Sequence, residues 1–114
     1  MQNGLHALQW SEKAKASARK HSQDMAVNNF FDHTNLRGQS PFDRMKAEGI
    51  SYEIAGENIA TGYSSSIFAH EALMNSLGHR ENILNPHYTQ VGVGVYFQSV
   101  TQFPYYTQNF YTPF

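Results

Sequence analysis

The sequence predicts an α+β fold, and three observations carry that prediction. Helix-forming stretches fill the first half, among them EKAKASARKHSQDMAVNN and FDRMKAE, each behind a serine cap. The last third holds an alternating run, TQVGVGVYF, joined by QSVTQFP to a returning run, YYTQNFY; helices followed by an antiparallel hairpin are the α+β pattern rather than βαβ winding. The charges are also one-sided. Seven of the eight Lys and Arg precede residue 50, and no Asp, Glu, Lys or Arg follows Glu81, whereas nine of the sixteen aromatic residues do. Uncharged aromatic strands on an open edge invite aggregation. The tail is therefore expected to form central strands covered by helices.

Taken in order, the first helix runs from about residue 12 to 28. Ser11 caps it, and Ala14, Ala18, His21 and Met25 recur at three- and four-residue steps along one face. Asn28-Asn29 ends it. FFDHTNLRGQ has no period and reads as a loop that opens on buried aromatics. Ser40-Pro41 is an N-cap and first helical position for a short helix, which Gly49 stops in a left-handed cap. Phe42 and Met45 are expected to face the core. SYEIAGENIATGY alternates weakly around two glycines and reads as a short strand or extended passage. SSSIFAHEALMNS is a third helix, capped by Ser65 or Ser66 and closed by Gly78; RENIL adds one short turn, ended by Asn85-Pro86. In VGVGV, Val91, Val93 and Val95 share one side. The glycines on the other side leave room for a close backbone or helix.

The 114 residues point to one domain over 1–114, large enough to bury a core without metal or disulfide staples. The formal net charge of −1 gives no argument for a nucleic-acid or membrane-surface partner, and no nucleic acid is expected. No apolar run approaches the roughly 18 residues that span a bilayer. Cysteine is absent, which removes disulfides, thiol catalysis and thiolate metal sites together.

Six histidines are the obvious chemical candidates. His6 lies near the start, His21 and His70 read as surface or boundary positions on helices, and His87 precedes a strand and reads as exposed. His33 and His79 differ, because both sit where regular structure ends, beside other polar groups. Glu57 lies in an apolar setting, IAGENIA, and must find a partner or accept a raised pKa. Two histidines and a carboxylate are the ligand set of an open zinc site, whereas hard cations want more oxygen donors. These three residues are far apart in sequence and no short metal motif joins them. From the residues alone a plain capping role for His79 at a helix end, with Arg80 paired to Glu81 or a neighbour and Asn82 bonding backbone, is the stronger reading of that cluster. Ser76, His79 and Glu57 are also the right types for a hydrolase triad, but no nucleophile elbow accompanies them.

The segments FFDHTNLRGQSPFDRM, AGENIATGYSS, MNSLGHRENILNP, VGVGVYF and YYTQNF occur in this order, and with similar spacing, in bacterial members of the CAP superfamily (cysteine-rich secretory proteins, antigen 5 and pathogenesis-related proteins), whose domain is also called the SCP domain. The resemblance covers about Leu5 to Thr112. It implies a three-layer α-β-α sandwich with a small, largely antiparallel sheet, and a polar cleft in which His33 of DHTN, Glu57 of GEN and His79 of GHR meet. It further implies secretion or a place in the cell envelope.

The chain departs from the family's pattern in three ways. Ser76 stands where many eukaryotic members have a second Glu, which removes one charge from the cleft. Leu73 and Leu77 replace a frequent Trp and Pro. The chain begins at the GLHALQW segment, where members usually have a preceding helix, so it reads as an excised piece whose uncovered face would allow self-association. Three functions follow as expectations. The first is a binding module whose His33/Glu57/His79 cleft takes a small ligand, an envelope component or Zn2+. The second is a peptidase-like hydrolase using the same residues, and the third is lipid or sterol binding. Phe30, Phe31, Phe42 and the strand 105–110 read as core.

Overall fold

The computed structural model describes residues 8–61 and 87–114. The expected third helix, its Gly78 cap, the RENIL turn and residues His6, His70, Ser76 and His79 lie outside the described residues.

The described elements are β1 (Gln9–Trp10), α1 (Glu12–Asn28), α2 (Pro41–Ala47), β2 (Tyr52–Thr61), β3 (Gln90–Phe97) and β4 (Pro104–Pro113). The strands form one sheet in the order β1-β3-β4-β2. Pairing is antiparallel between β2 and β4 and between β3 and β4, and parallel between β1 and β3. The charge-free tail does supply the two central strands.

Helix α1 starts at Ser11, whose Oγ accepts from the Ala14 amide and also bonds the Tyr111 hydroxyl at 2.9 Å, so one residue caps the helix and ties it to β4. Asn29, at φ 56°, closes the other end in the left-handed region. Ala14, Ala18 and Met25 are buried, as their spacing predicts, and His21 is buried with them. Gly92 and Gly94 of β3 lie directly under the helix. A Cβ on Gly92 would fall 2.0 Å from the Lys15 amide nitrogen, and one on Gly94 2.2 Å from that of Arg19. Ser22 then donates to the Gly94 carbonyl and bonds Thr107 at 2.7 Å. Helix and sheet backbones thus meet along a seam with no room for a methyl group. On the opposite face, Tyr88 stacks on Phe110 and its hydroxyl stands over Gly56.

Four expectations need correction. Strand β2 is ten residues long, not short, and residues 57–60 are buried on both faces. Double-sided burial erases the alternation by which a strand is read from sequence. β1 was not foreseen, since two residues carry no period. Phe42 and Phe31 are exposed. The buried side of α2 is Pro41, Arg44 and Met45, one stripe at helical spacing, and Phe42 is the next position round, resting against Tyr52 with ring centroids 6.0 Å apart. His21, expected near the surface, is 1% exposed because α1 turns it inward toward the loop that follows.

Candidate functional site

Glu57 sits near the middle of β2, opposite Asn109 of β4, on the face that α1 covers. Its carboxylate accepts from Asn109 Nδ2 at 2.8 Å and from Arg44 Nη2 at 2.9 and 3.0 Å. It also accepts from His33 Nδ1 at 2.9 Å. Arg44 comes from α2, which a full capping box between Ser40 and Asp43 starts at a fixed point. That start decides which side chain faces inward.

His33 belongs to the loop between α1 and α2, and the loop is built to hold it. Buried Asn35 accepts from the amides of Arg37 and Gln39, and its own amide N–H donates to the Gln39 carbonyl, closing a tight turn. The carbonyls of Asp32 and His33 are held from behind: His21 Nε2 donates to the first at 2.8 Å and Arg44 Nη2 to the second at 2.7 Å. Arg44 therefore fixes both the backbone that carries His33 and the carboxylate that His33 meets.

Burial pushes the Glu57 pKa up, but the hydrogen bond from His33, the Arg44 charge, His21 and the Asn109 amide outweigh it, so the carboxylate stays ionised below its usual range. The bond to Glu57 raises the pKa of His33 above the ordinary imidazole value, against partial burial. His21 moves the other way, lowered first by burial and then by the Arg44 charge. Two imidazoles flank the same ion pair; one favours its charged form and the other its neutral form.

With Nδ1–H given to Glu57, the remaining ring nitrogen of His33 is Nε2, on a side chain that is 49% exposed. Neutral, it offers a lone pair to a metal or a proton; charged, it donates to an anion. A carboxylate behind the ring fixes tautomer and orientation, as it does behind metal-binding histidines. The donor chemistry suits His33 as a zinc ligand. It does not suit Glu57 as one, since both oxygens are taken and a guanidinium lies 2.9 Å away. No group of three His, Asp or Glu side chains placed to hold a metal occurs among the described residues.

The sequence reading brought His33 and Glu57 together, and the structure places them in contact; His79 lies outside the described residues. It missed Arg44 and Asn109. An arginine in a seven-residue helix reads as solvated, and the facing of Asn109 and Glu57 is a matter of strand register. His87 is exposed, as expected.

Residues 1–110 match the cysteine-rich secretory protein (CAP) family. The chain is 54% identical over 91 residues to YkwD of Bacillus subtilis strain 168, which covers 80% of this chain and 35% of that protein. The structure superposes with TM-score 0.87 on an extracellular protein containing an SCP domain from Bacillus anthracis, at 38% identity, covering 95% of this chain and 34% of the other. A TM-score of 0.87 also relates it to an outer surface protein of Borrelia burgdorferi, at 20% identity over 96% of this chain and 80% of that one, a likeness of fold alone. The fold is the α-β-α sandwich of these SCP domains. The chain spans about a third of the length of the curated relatives it matches. Among the described residues no helix is long and apolar enough to cross a membrane.

Proposed function

We propose, from the premise that this chain belongs to the cysteine-rich secretory protein (CAP) family, that it is a binding module of the cell exterior or envelope in which His33 contacts the ligand. The observation that carries the reading is the dyad of half-exposed His33 and buried, ionised Glu57. A buried carboxylate costs several kcal/mol of desolvation unless well paired. Arg44 and Asn109 would satisfy it without His33, so the imidazole is the part that the core does not require. With Nδ1 bonded to Glu57, Nε2 of this half-exposed ring is the nitrogen left to meet a ligand. The name of the Bacillus anthracis relative, an extracellular protein, supports the location.

Zinc or a small polar ligand is the occupant this chemistry favours. For zinc, His33 Nε2 and His79 would be the nitrogen ligands, with Glu57 acting behind His33 and not on the metal. Bound zinc would act as a Lewis acid toward a ligand oxygen. Titration calorimetry with zinc tests this. Binding is expected in the unaltered protein, to vanish in His33→Ala and His79→Ala, and to weaken about 10- to 100-fold in Glu57→Gln, the usual effect of losing such a supporting partner. Binding that survives both histidine changes defeats the reading. The dyad equally suits a general base, which gives a hydrolase as the second reading. Turnover of ester or peptide probes that falls in Glu57→Gln would favour it over simple binding.

A further inference from the structure

The turn that joins β3 to β4 has polar groups turned inward and apolar groups turned out. Gln98 gives its side-chain N–H to the Ala26 carbonyl at 2.9 Å and accepts from the Thr101 hydroxyl at 2.6 Å. Thr101 Oγ1 accepts in turn from the Phe103 amide at 3.1 Å. Gln102, at φ 62°, gives its side-chain N–H to the Ser99 carbonyl and its backbone N–H to the Gln98 carbonyl. The Gln98 amide closes the turn on the Phe103 carbonyl at 2.9 Å. Outside this set of bonds stand Val100, 90% exposed at the tip, and the half-exposed rings of Phe97 and Phe103.

The three apolar groups do not share a face. Tyr96 and Tyr105, partners across the hairpin, pack with Met25 on the side of α1. Strand alternation then turns Phe97 to the opposite side of the sheet and Phe103, two residues before Tyr105, to the α1 side. Val100 stands between them at the end. A protein groove covers one face of such a turn, whereas a medium that surrounds it covers both. Charge points the same way. The turn carries no charged residue, and the last turn of α1, to which Gln98 ties it, has no basic one. No ion in the turn has to shed water, and no cation draws it to anionic headgroups. Polar groups already bonded within the protein also enter apolar surroundings at less cost than groups bonded to water. We infer that this turn is an apolar finger that inserts reversibly into the interface of a lipid bilayer, held by Phe97, Val100 and Phe103 rather than by charge. It is a docking surface for a membrane, not a site for a bound lipid or sterol, and it is independent of the role proposed for His33.

The test is co-sedimentation of the intact chain with vesicles of phosphatidylcholine, and with vesicles that also carry phosphatidylglycerol, at low and high salt. Binding is expected to be equal on the two vesicle types and unchanged by salt, because screening acts only on charge. Val100→Asp, at a position too exposed for the fold to depend on it, is expected to abolish binding. Val100→Trp is expected to strengthen it at least about fivefold, since an indole favours the membrane interface. Phe97→Ser and Phe103→Ser are each expected to weaken it about five- to tenfold, the factor for the exposed half of a phenyl ring. No sedimentation with either vesicle, binding to the anionic vesicles alone that salt removes, or unchanged binding in Val100→Asp overturns the inference. So does an effect in only one of the two Phe variants, which would mean that one face is used. A dimer seen by sedimentation velocity without vesicles, and dissolved by Val100→Asp, would assign the turn to a second copy of the chain and overturn it as well.

Discussion

The two places where the first half of the chain meets the sheet are held in opposite ways. Along the α1–β3 seam, Gly92 and Gly94 let two backbones approach until no side-chain atom fits between them, and no charge takes part. Around Glu57, charge is taken into the interior and neutralised by Arg44, Asn109 and His33. The seam depends on shape and excludes a methyl group. The network depends on charge and should tolerate a change of shape better than a missing partner. The difference teaches where function can reside: a seam with no free atom offers nothing to a ligand, whereas the network ends in an imidazole at the surface.

Removing one charge from the network should produce the largest effect. Arg44→Met keeps much of the side chain's length but leaves Glu57 buried without its cation, and should cost about 3–5 kcal/mol of stability in urea unfolding. Adding Glu57→Gln to that variant should recover most of the loss, because a neutral pair in place of an ion pair is often nearly as stable. A double variant no more stable than Arg44→Met alone would mean that Arg44 acts through packing, and the contrast with the seam would fail.

Gly92→Ala should cost somewhat less, about 1–3 kcal/mol, the usual range for overpacking. Its cause also predicts which second change does not help. The added Cβ would lie 2.0 Å from Lys15 N and 2.3 Å from Ala14 C, both backbone atoms. Ala14→Gly in the same chain should therefore leave most of the loss in place. Recovery of full stability would show that side chains alone define the seam.

These two regions were also unequally legible in sequence. The seam joins distant segments, but each side announces itself locally and periodically: the serine cap, the three- and four-residue steps of α1 and the glycines of VGVGV could be read in order, and the structure packs the helix over those glycines. β2 was legible only in part, because its buried stretch lies between covered faces and loses alternation. At the site, Glu57 stood out as a carboxylate among apolar neighbours. His33 stood out at a loop, but their meeting was implied by family resemblance rather than by spacing. Arg44 carried no signal, since an arginine on a short helix that also carries Asp43 and Lys46 is ordinarily solvated. Asn109 gains meaning only once the register of β2 against β4 is known. Networks closed by long-range pairing are hard to read for this reason: each member is ordinary in its own segment.

The smallest effect separates the two histidines that flank Glu57. His21, whose neighbours include Arg44, Glu57, Asp32 and Asp24, has its folded pKa lowered from 6.5. Between that lowered value and 6.5 the unfolded chain binds more protons than the folded one, so this residue makes stability rise with pH. His33, beside Glu57, Asp32 and Arg44, has its folded pKa raised from 6.5. Its contribution is fully present below 6.5 and is lost as pH rises through the raised value, so between 6.5 and that value it makes stability fall with pH. The two imidazoles thus tilt the stability curve in opposite directions on either side of 6.5. Urea unfolding followed from about pH 5 to 8, where histidines titrate, should show both slopes in the unaltered chain. His33→Gln should remove the fall above 6.5 and leave the rise below it. An unchanged slope above 6.5 in that variant would mean that the bond from His33 to Glu57 does not favour the charged ring, and the dyad would lose the electrostatic link on which its role depends.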